Sequence, residues 1–505
     1  MKRILLCALS LLMGSVSYAE DITIRYNGSS AKVSQTATDS VMVMVDGARV
    51  SIESLYKDHK LTLLLKGKSD DGQLLLKSAG KAKIKLDGLN LTSREGAPFD
   101  LKNKKKVEVV AAKGTVNTLT ITACNDTANH KAAVIWSKDK LLFSGKGTLN
   151  IVATGDGCRG IKTKKDITIE ELTLNVTTSG DNLGEKPFGF GGFPPFGNDS
   201  IKEGGFPGFP GGFPGGFPGG FPEGFPMPND SIMRGGFPGF PGGFPGGFPN
   251  FGNREENDSI EGGFPGGGFA GKHKYVSSAK GIASKGKVTI NSGNVTVRTT
   301  TAGAEGIEGK KGIAFNGGNI DVLSPDDAIN ANATIEFNGA HVIARSTTND
   351  AVDSNPPGGF FMPFGGNNNQ DTDPAIIIRG GTVYAWSQVG SPEEGLDCDF
   401  APLVVEGGTI FSVGGGMGEM PSVPSNEDAK QPTVLLIGIN IVKDEPVYIY
   451  DAGGKLIDTV TILFSLRRSA SLIGSPAFKV GSTYTVKTKG YEKTFTLSEP
   501  FTAVR

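Results

Sequence analysis

Short runs of alternating apolar and polar residues dominate the stretch from residue 275 to residue 355. Each run holds a few residues and ends in a turn rich in Gly, Asn or Asp. One aliphatic position recurs at spacings of 25, 22 and 23 residues, as Ile282, Ile307, Ile329 and Val352. Alternation with a period of two predicts strands. Three such runs fill each repeat, so the stretch predicts three short strands per repeat and no helix.

A repeat of this length is typical of a solenoid. Three strands in roughly 23 residues suit one coil of a parallel β-helix, in which equivalent strands stack and inward aliphatic side chains form ladders. A sandwich of antiparallel hairpins is the alternative, although it would not need a unit of near-constant length. The predicted fold is therefore all-β, a right-handed parallel β-helix (solenoid) with N- and C-terminal β caps and a long disordered Gly/Phe/Pro-rich insert.

The remaining residues divide around this repeat. The predicted segments are a signal peptide at 1–19, an N-terminal β cap at 20–60, a first β-helix part at 61–184, a low-complexity insert at 185–270, a second β-helix part at 271–415, a linker at 416–432 and a C-terminal β cap at 433–505.

The N-terminus has the pattern of a signal peptide. Lys2 and Arg3 precede an apolar core, and Ser17-Tyr18-Ala19 supplies small residues for cleavage. Cleavage near Ala19 would make the protein secreted or associated with the cell envelope. No later apolar run reaches the length of a membrane-spanning helix, so no transmembrane segment is expected.

The insert at 185–270 is built on Gly-Gly-Phe-Pro and has few aliphatic residues, a composition that predicts disorder. Two interpretations stay open: an adhesive arm that self-associates through exposed Phe, or a tolerated linker-like expansion. Asn-Asp-Ser-Ile occurs three times in it and resembles a bacterial O-glycosylation sequon, with Ser200, Ser231 and Ser259 as acceptors. Duplication of a repeat explains the same pattern.

Charge and cysteine content narrow the possible functions. A net charge of −1 gives no electrostatic reason to expect nucleic acid as a partner. Cys124, Cys158 and Cys398 are read as isolated residues, or as a Cys124–Cys158 bridge if those positions stack on nearby coils. No Cys-x-x-Cys pattern for zinc is present.

Carboxylates and amides gather at the same turn of successive repeats. Stacked strands lie about 4.8 Å apart, so acidic turns repel unless a cation lies between them. Calcium prefers oxygen-rich sites of this kind, whereas Asp and Asn also favour solvated turns for their own sake. Calcium is the predicted cofactor, and the candidate metal ligands are Asp326, Asp327, Asn330, Asp350, Asp353, Glu394, Asp397 and Asp399.

Aromatic residues on the same solenoid are candidates for stacking on sugar rings. Tyr384 and Trp386 alternate with a small residue and form the predicted carbohydrate-binding pair, with core packing as the alternative. No catalytic residue is assigned. Lys280, Lys285, Lys310 and Arg159 suit a lyase base by type alone, and adjacent carboxylates such as Asp326 and Asp327 point to opposite faces of a strand.

Five segments of the chain resemble a family of bacterial exported carbohydrate-binding β-helix proteins. The matching residues run through 96–119, 132–166, 304–332, 381–415 and 475–486, and include Glu393-Glu394-Gly395-Leu396-Asp397-Cys398-Asp399. The resemblance implies a polysaccharide-lyase-like fold, cellulose or polygalacturonate binding, and bound calcium. Cys158-Arg159 departs from the family's usual turn.

The function expected from the residues and the resemblance together is that of a secreted, non-catalytic carbohydrate-binding protein. It would recognise an extended polysaccharide, cellulose-like or uronate-rich, on a calcium-bearing face of the β-helix. The alternatives are a polysaccharide lyase of similar fold and a surface structural or adhesive protein that acts through the Phe-rich insert.

Overall fold

The computed structural model describes residues 21–35, 40–123, 132–182, 279–355, 373–398, 401–415 and 421–505. The predicted signal peptide, the Phe-rich insert with Ser200, Ser231 and Ser259, and residues Cys124 and Asp399 lie outside these ranges. None of the described segments forms a helix long and apolar enough to cross a membrane.

The described residues form 36 strands and no helix, so the all-β prediction is confirmed. The strands up to residue 178 are β1 (Ile22–Asn27), β2 (Ser30–Gln35), β3 (Val41–Asp46), β4 (Arg49–Ser54), β5 (Leu61–Ser69), β6 (Gln73–Ser78), β7 (Ala82–Ser93), β8 (Phe99–Leu101), β9 (Val107–Ala111), β10 (Val116–Ile121), β11 (Ala133–Ser137), β12 (Leu141–Gly145), β13 (Thr148–Ala153), β14 (Arg159–Thr163), β15 (Ile167–Ile169) and β16 (Thr173–Thr178). The strands of the second repeat region are β17 (Ile282–Ser284), β18 (Val288–Ile290), β19 (Asn294–Thr299), β20 (Ile307–Gly309), β21 (Ile313–Phe315), β22 (Asn319–Ser324), β23 (Ile329–Ala331), β24 (Ile335–Ser346), β25 (Val352–Ser354), β26 (Ile376–Ser387), β27 (Leu396–Asp397), β28 (Leu403–Val405) and β29 (Thr409–Gly414). The C-terminal strands are β30 (Thr433–Ile441), β31 (Pro446–Asp451), β32 (Leu456–Thr461), β33 (Leu466–Gly474), β34 (Thr483–Thr488), β35 (Tyr491–Thr496) and β36 (Phe501–Val504).

Alternation of side chains explains how these short strands build a core. In β13, Leu149, Ile151 and Ala153 are buried while the residues between them are partly exposed. The same pattern recurs along the chain, and the buried residues form one continuous cluster that runs through most strands. Burying an aliphatic side chain contributes about 1.5–3 kcal/mol relative to leaving it exposed, so the ladders of Ile, Leu and Val dominate the stability of the fold.

Equivalent strands pair in parallel and in register. Sheet B has eleven strands, in the order β27-β25-β23-β20-β17-β14-β11-β8-β6-β4-β3. Within it, Ile282 lies beside Ile307, which lies beside Ile329, which lies beside Val352, and all four are fully buried. The aliphatic position recognised in the sequence is therefore a single ladder across neighbouring strands, and the polar residues on either side of it must also line up.

The larger sheet, sheet A, has 21 strands and closes on itself, so the predicted right-handed parallel β-helix solenoid is wrong. Twelve of its strands form a ring of parallel pairs, so that sheet A is a 12-strand parallel β-barrel rather than an open solenoid. The ring runs β7-β9-β12-β15-β18-β21-β24-β22-β19-β16-β13-β10 and returns to β7.

Two long strands close the barrel. β7 and β24 each have 12 residues and run on through the position at which other repeats turn. β7 pairs with both β9 and β10, and β24 pairs with both β21 and β22. In β24 the residues that continue the strand are Asn338-Gly339-Ala340, whose composition resembles the turns of the preceding repeats. Local composition therefore predicts a turn where the backbone stays extended.

Antiparallel strands lie at both ends of the described chain. The hairpins β1–β2 and β3–β4 carry the first residues, and β3 is the outermost strand of sheet B. After residue 433, β30, β33 and β36 join sheet A, while β32-β31-β34-β35 form a four-stranded antiparallel sheet C. Side chains of these C-terminal strands form a second hydrophobic cluster that includes Trp386, Phe411 and Val413.

Gly306, just before β20, occupies a position with no room for a side chain. A Cβ atom there would lie 2.3 Å from Cγ1 of Val322 and 2.4 Å from the carbonyl oxygen of Ala328. We expect Gly306→Ala to lower the free energy of unfolding by about 1–3 kcal/mol, because a packed backbone must shift. Ala328 has the equivalent place before β23, so Ala328→Gly is the control, with an expected loss of about 1 kcal/mol or less. Urea denaturation of both variants tests this, and a neutral Gly306→Ala would contradict it.

Candidate functional site

Polar residues flank the aliphatic ladder on four neighbouring strands of sheet B: β20, β23, β25 and β27. Glu308, Asn330, Asp353 and Asp397 follow the ladder residue of their strands and lie beside one another in register. A second set precedes the ladder residue by two or three positions. We call the two sets together the acidic face; its members are Glu305, Glu308, Asp326, Asp327, Asn330, Asp350, Asp353, Glu393, Glu394 and Asp397.

The acidic face is largely buried. Glu308, Asp327, Asp350, Asp353 and Glu394 all expose less than a tenth of their surface. The strands β20, β23 and β25 have only three residues, so the polar turns that precede them lie close to the ladder. Neighbouring parallel strands are about 4.8 Å apart, which brings carboxylates of successive repeats within reach of one another. Such burial is costly for charged groups unless they are paired or protonated.

Lysines neutralise one end of the acidic face. Nζ of Lys280 lies 2.9 Å from both carboxylate oxygens of Glu305 and 2.6 Å from Oε1 of Glu308. Nζ of Lys310 lies 2.7 Å from the same oxygen of Glu308. Burial disfavours charge on Glu308, but the two ammonium groups outweigh it and hold its pKa well below the usual range. The pKa of Lys280 is raised for the same reason, since both glutamates favour its charged form over the effect of burial.

The other end of the acidic face concentrates negative charge. Burial raises the pKa of Asp327 well above its usual range, and the charges of Asp326 and Glu305 raise it further. Burial likewise raises the pKa of Asp350, with added repulsion from Asp397, Asp327 and Glu393. Repulsion between stacked carboxylates therefore favours either protonation or a bound cation at this end.

Glu393 shows the same effect in milder form. Its pKa is raised to about 7, first by burial and then by the charges of Asp397 and Asp326. Glu305 is intermediate between the two ends: burial raises its pKa in spite of the nearby ammonium of Lys280. The acidic face thus changes along its length from ion-paired groups at β20 to mutually repelling groups at β25 and β27.

Two amides bridge the carboxylates in the present arrangement. Nδ2 of Asn330 donates to Oδ2 of Asp327 at 2.8 Å and to Oδ2 of Asp353 at 3.1 Å. Nδ2 of Asn349 donates at 2.8 Å to Oδ1 of both Asp326 and Asp327. Within the described ranges, no three His, Cys, Asp or Glu side chains converge closely enough to hold a metal ion as they stand. If the side-chain amides of Asn330 and Asn349 rotated so that their oxygen atoms faced the carboxylates, every potential metal ligand here would be an oxygen atom. Calcium prefers ligands of this kind.

Seven of the eight metal ligands predicted from the sequence lie along the acidic face. They are Asp326, Asp327, Asn330, Asp350, Asp353, Glu394 and Asp397, while Asp399 lies outside the described residues. Among their contacts, Oδ1 of Asp350 accepts a hydrogen bond from the backbone N–H of Glu394. Oε2 of Glu394 in turn accepts from the N–H of Ser422 at 2.7 Å.

Sequence reasoning missed several members of the site. The sequence prediction includes Lys280 only as a base by type, and it omits Glu305, Glu308, Glu393 and Asn349. The repeat spacing contains the signal: Glu305 stands two residues before the ladder position, like Asp327, and Glu308 stands one residue after it, like Asn330. Register alone would therefore have placed both glutamates on the acidic face.

The two predicted carbohydrate-binding aromatics lie elsewhere, on sheet A. Trp386 exposes 3% of its surface, belongs to the hydrophobic cluster of the C-terminal strands, and donates from Nε1 to the carbonyl oxygen of Phe411 at 3.1 Å. A ring so deeply buried offers no face to a sugar, so the role predicted for Trp386 is corrected to core packing. Tyr384 is partly buried against the same cluster, and its sugar-binding role stays a prediction.

Cys158 and Cys398 are both buried. Cys124, the proposed partner of Cys158, lies outside the described residues, so the predicted bridge stays a prediction.

Parts of the chain are similar to known proteins and to a family model. A family model described as carbohydrate-binding domain-containing protein matches residues 46–186 and 268–351. A relative of that same description from Acetivibrio thermocellus is 32% identical over 139 residues, covering 26% of this chain and 48% of the relative. The chain thus spans about half the length of the curated relative that it matches. A solved structure described as a polysaccharide lyase-like protein from C. thermocellum is similar with a TM-score of 0.36 and 17% identity, over 64% of this chain and 90% of that one.

The matched ranges include Glu305, Glu308, Asp327 and Asp350, whereas Asp353, Glu394 and Asp397 follow them. The resemblance predicted from the sequence is confirmed: residues 46–186 and 268–351 match the family of carbohydrate-binding domain-containing proteins.

Proposed function

We propose that this protein binds an extended, uronate-rich polysaccharide along the acidic face, with calcium between the protein's carboxylates and the glycan. The observation that carries the proposal is the crowding of carboxylates on neighbouring strands: Asp353 lies in register beside Asp397. At the turns that precede these strands, burial and neighbouring carboxylates raise the pKa values of Asp327, Asp350 and Glu393. The description shared by the matching family model and the Acetivibrio relative supports a carbohydrate as the ligand.

The acidic face has a form suited to an extended ligand. Its polar groups recur on successive parallel strands, so that they follow the edge-to-edge direction of sheet B in steps of about 4.8 Å. The residues that would hold calcium are those predicted from the sequence, with Asn330 turning its amide oxygen toward the ion. Bound calcium would supply the positive charge that offsets the carboxylates and would accept the carboxylate oxygens of a uronate.

Binding without cleavage is favoured by the state of Lys280. A lyase base must be able to lose its proton near neutral pH. Lys280 instead contacts two glutamates, and these contacts raise its pKa above the ordinary value of a lysine. Lys280, one of the four residues that suit a lyase base by type, is therefore held in its protonated form.

The N-terminal pattern supports export as part of the same proposal. An exported protein meets calcium at concentrations at which sites with dissociation constants of about 10⁻⁴–10⁻³ M are occupied. A site of modest affinity, assembled from repelling carboxylates and movable amides, would suffice in that setting.

Co-sedimentation of the full mature chain with polygalacturonate and with cellulose tests the proposal. We expect retention on polygalacturonate in calcium and its loss in a chelator, with no rise in the ultraviolet absorbance of unsaturated uronide. A steady rise in that absorbance would identify a lyase. Retention on neither polymer would contradict carbohydrate binding, and retention that the chelator does not change would contradict the role of calcium.

A further inference from the structure

A second cluster of charged residues lies on sheet A, apart from the acidic face. Arg298 in β19, Asp321 in β22 and Arg345 in β24 stand on three neighbouring strands. Nη2 of Arg298 donates to Oδ2 of Asp321, and Nη2 of Arg345 donates to Oδ1 of the same carboxylate. Nη1 of Arg298 also donates to the carbonyl oxygens of Val297 and Asp321, at 2.9 and 2.8 Å. Two guanidinium groups thus share one carboxylate, which leaves one positive charge in excess.

Arg345 has a hydrogen-bond donor without an acceptor. Its Nε is buried and has no hydrogen-bond partner among the described residues. The Arg345 side chain exposes 12% of its surface, while Asp321 exposes 38%. A buried donor left without an acceptor has a free-energy cost. An acceptor supplied by a ligand would remove that cost, and a carboxylate matches the planar fork of a guanidinium.

Aromatic side chains border this cluster. Across the sheet, Ile343 lies between Asp321 on one neighbouring strand and Tyr384 on the other. Arg345 lies beside Trp386 in the same way. The ring of Tyr384 stacks on that of Trp386 at 5.6 Å and meets the ring of His341 edge-on at 5.9 Å. Trp386 is buried, but Tyr384 and His341 are partly exposed. Charged donors and a partly exposed aromatic edge on one surface are the elements that an acidic sugar needs, since its ring has apolar faces and its rim is polar.

We infer that Arg298 and Arg345 form a binding subsite for the carboxylate of an acidic sugar residue, one that works without a metal ion. The inference rests on the proposed function for the carbohydrate nature of the ligand. The subsite differs from the acidic face in location and in charge, and it binds its ligand without calcium. Asp321 holds the two guanidinium groups in place, and the ligand would supply the acceptor that Nε of Arg345 lacks.

Binding of a galacturonate trisaccharide and of its methyl ester, measured by calorimetry in the presence of a chelator, tests the subsite. The chelator removes binding that passes through calcium at the acidic face. We expect the wild type to bind the acid more tightly than the ester. Arg298→Gln and Arg345→Lys should each weaken binding of the acid by about tenfold and abolish this preference, since each removes a charge-assisted or bidentate contact.

Arg379→Gln is the matched control. Arg379 is an exposed arginine of sheet A that pairs with Glu336 at 2.9 Å and with Glu406 at 3.4 Å. Its replacement should leave binding of the trisaccharide unchanged. Equal binding of acid and ester by the wild type in chelator, or wild-type affinity in both Arg298→Gln and Arg345→Lys, would overturn the inference. Neither result bears on calcium-dependent retention of the polymer, so failure of the subsite and failure of the proposed function are separable.

Discussion

Replacement of Lys280 with Met is expected to lower the free energy of unfolding by about 3–5 kcal/mol, the range found when one partner of a buried ion pair is removed. The Lys280 side chain exposes 13% of its surface and contacts Glu305 and Glu308, of which Glu308 exposes 8%. Without the ammonium group, two carboxylates would stay buried beside each other. Urea denaturation at pH 7 measures the loss.

The acid limb of the stability curve provides a second readout of the same pair. The lysines hold the pKa of Glu308 below its ordinary value, so the folded protein binds this proton less tightly than the unfolded chain does. The resulting stabilisation is fully present above the ordinary carboxyl pKa and is lost as the pH falls toward the folded value. Lys280→Met should therefore flatten the loss of stability on acidification.

Lys310→Met is the control for Lys280→Met. Lys310 contacts the same oxygen of Glu308 but exposes 45% of its side chain. Solvent screens such an exposed pair, so we expect a cost of only about 0–1 kcal/mol. Similar losses in the two variants would show that Lys280 is not the group that compensates the buried glutamates.

The double variant Asp327→Asn with Asp350→Asn is expected to be more stable than the wild type at pH 7 in a chelator. Burial and neighbouring carboxylates raise the pKa of both groups, so the folded protein binds their protons more tightly than the unfolded chain does. Stability is then highest below their ordinary pKa and falls as the pH rises toward the folded values. Neutral amides remove this penalty. We expect a gain on the order of 1 kcal/mol, or roughly 2 °C in melting temperature.

Calcium should reverse the order of stability, so that the wild type becomes more stable than the double variant. It is expected to raise the melting temperature of the wild type by binding the folded state and to leave the double variant unchanged. Asp46→Asn is the control, because Asp46 is exposed at the end of β3. Its response to calcium should equal that of the wild type. A double variant that is less stable than the wild type in chelator would contradict the repulsion inferred at the acidic face.

The repeat could be predicted from the sequence because period-two alternation is a local signal. The regular spacing of one aliphatic position predicts a stacked ladder, and the structure places its members side by side: Ile282, Ile307, Ile329 and Val352. Barrel closure depends instead on residues 338–340, where Asn-Gly-Ala is compatible both with a turn and with a continuous strand. The difference is decided by the pairing of the first residues of β24 with β21 and of its later residues with β22, and no local pattern encodes that pairing.

The sequence predicts those features of the candidate site that follow from the alignment of equivalent positions in successive repeats. Asp327 and Asp350 stand at equivalent turns, so their stacking follows from the spacing of the repeat. Burial of Trp386 does not follow, because most residues of the hydrophobic cluster that contains it lie after residue 433. The sharing of Asp321 between Arg298 and Arg345 was open to a similar argument, since both arginines lie in register beside Leu323, two residues along the same strand from Asp321.

Calcium-dependent retention on a uronate-rich polysaccharide, compared between the wild type and the double variant of Asp327 and Asp350, tests the central claim most directly. The measurement is made at pH 7 in calcium, with Asp46→Asn as the control for a surface charge. If the acidic face binds the glycan through calcium, the wild type and Asp46→Asn will be retained and the double variant will not. Equal retention of all three proteins would contradict the claim and would place the binding surface elsewhere on the molecule.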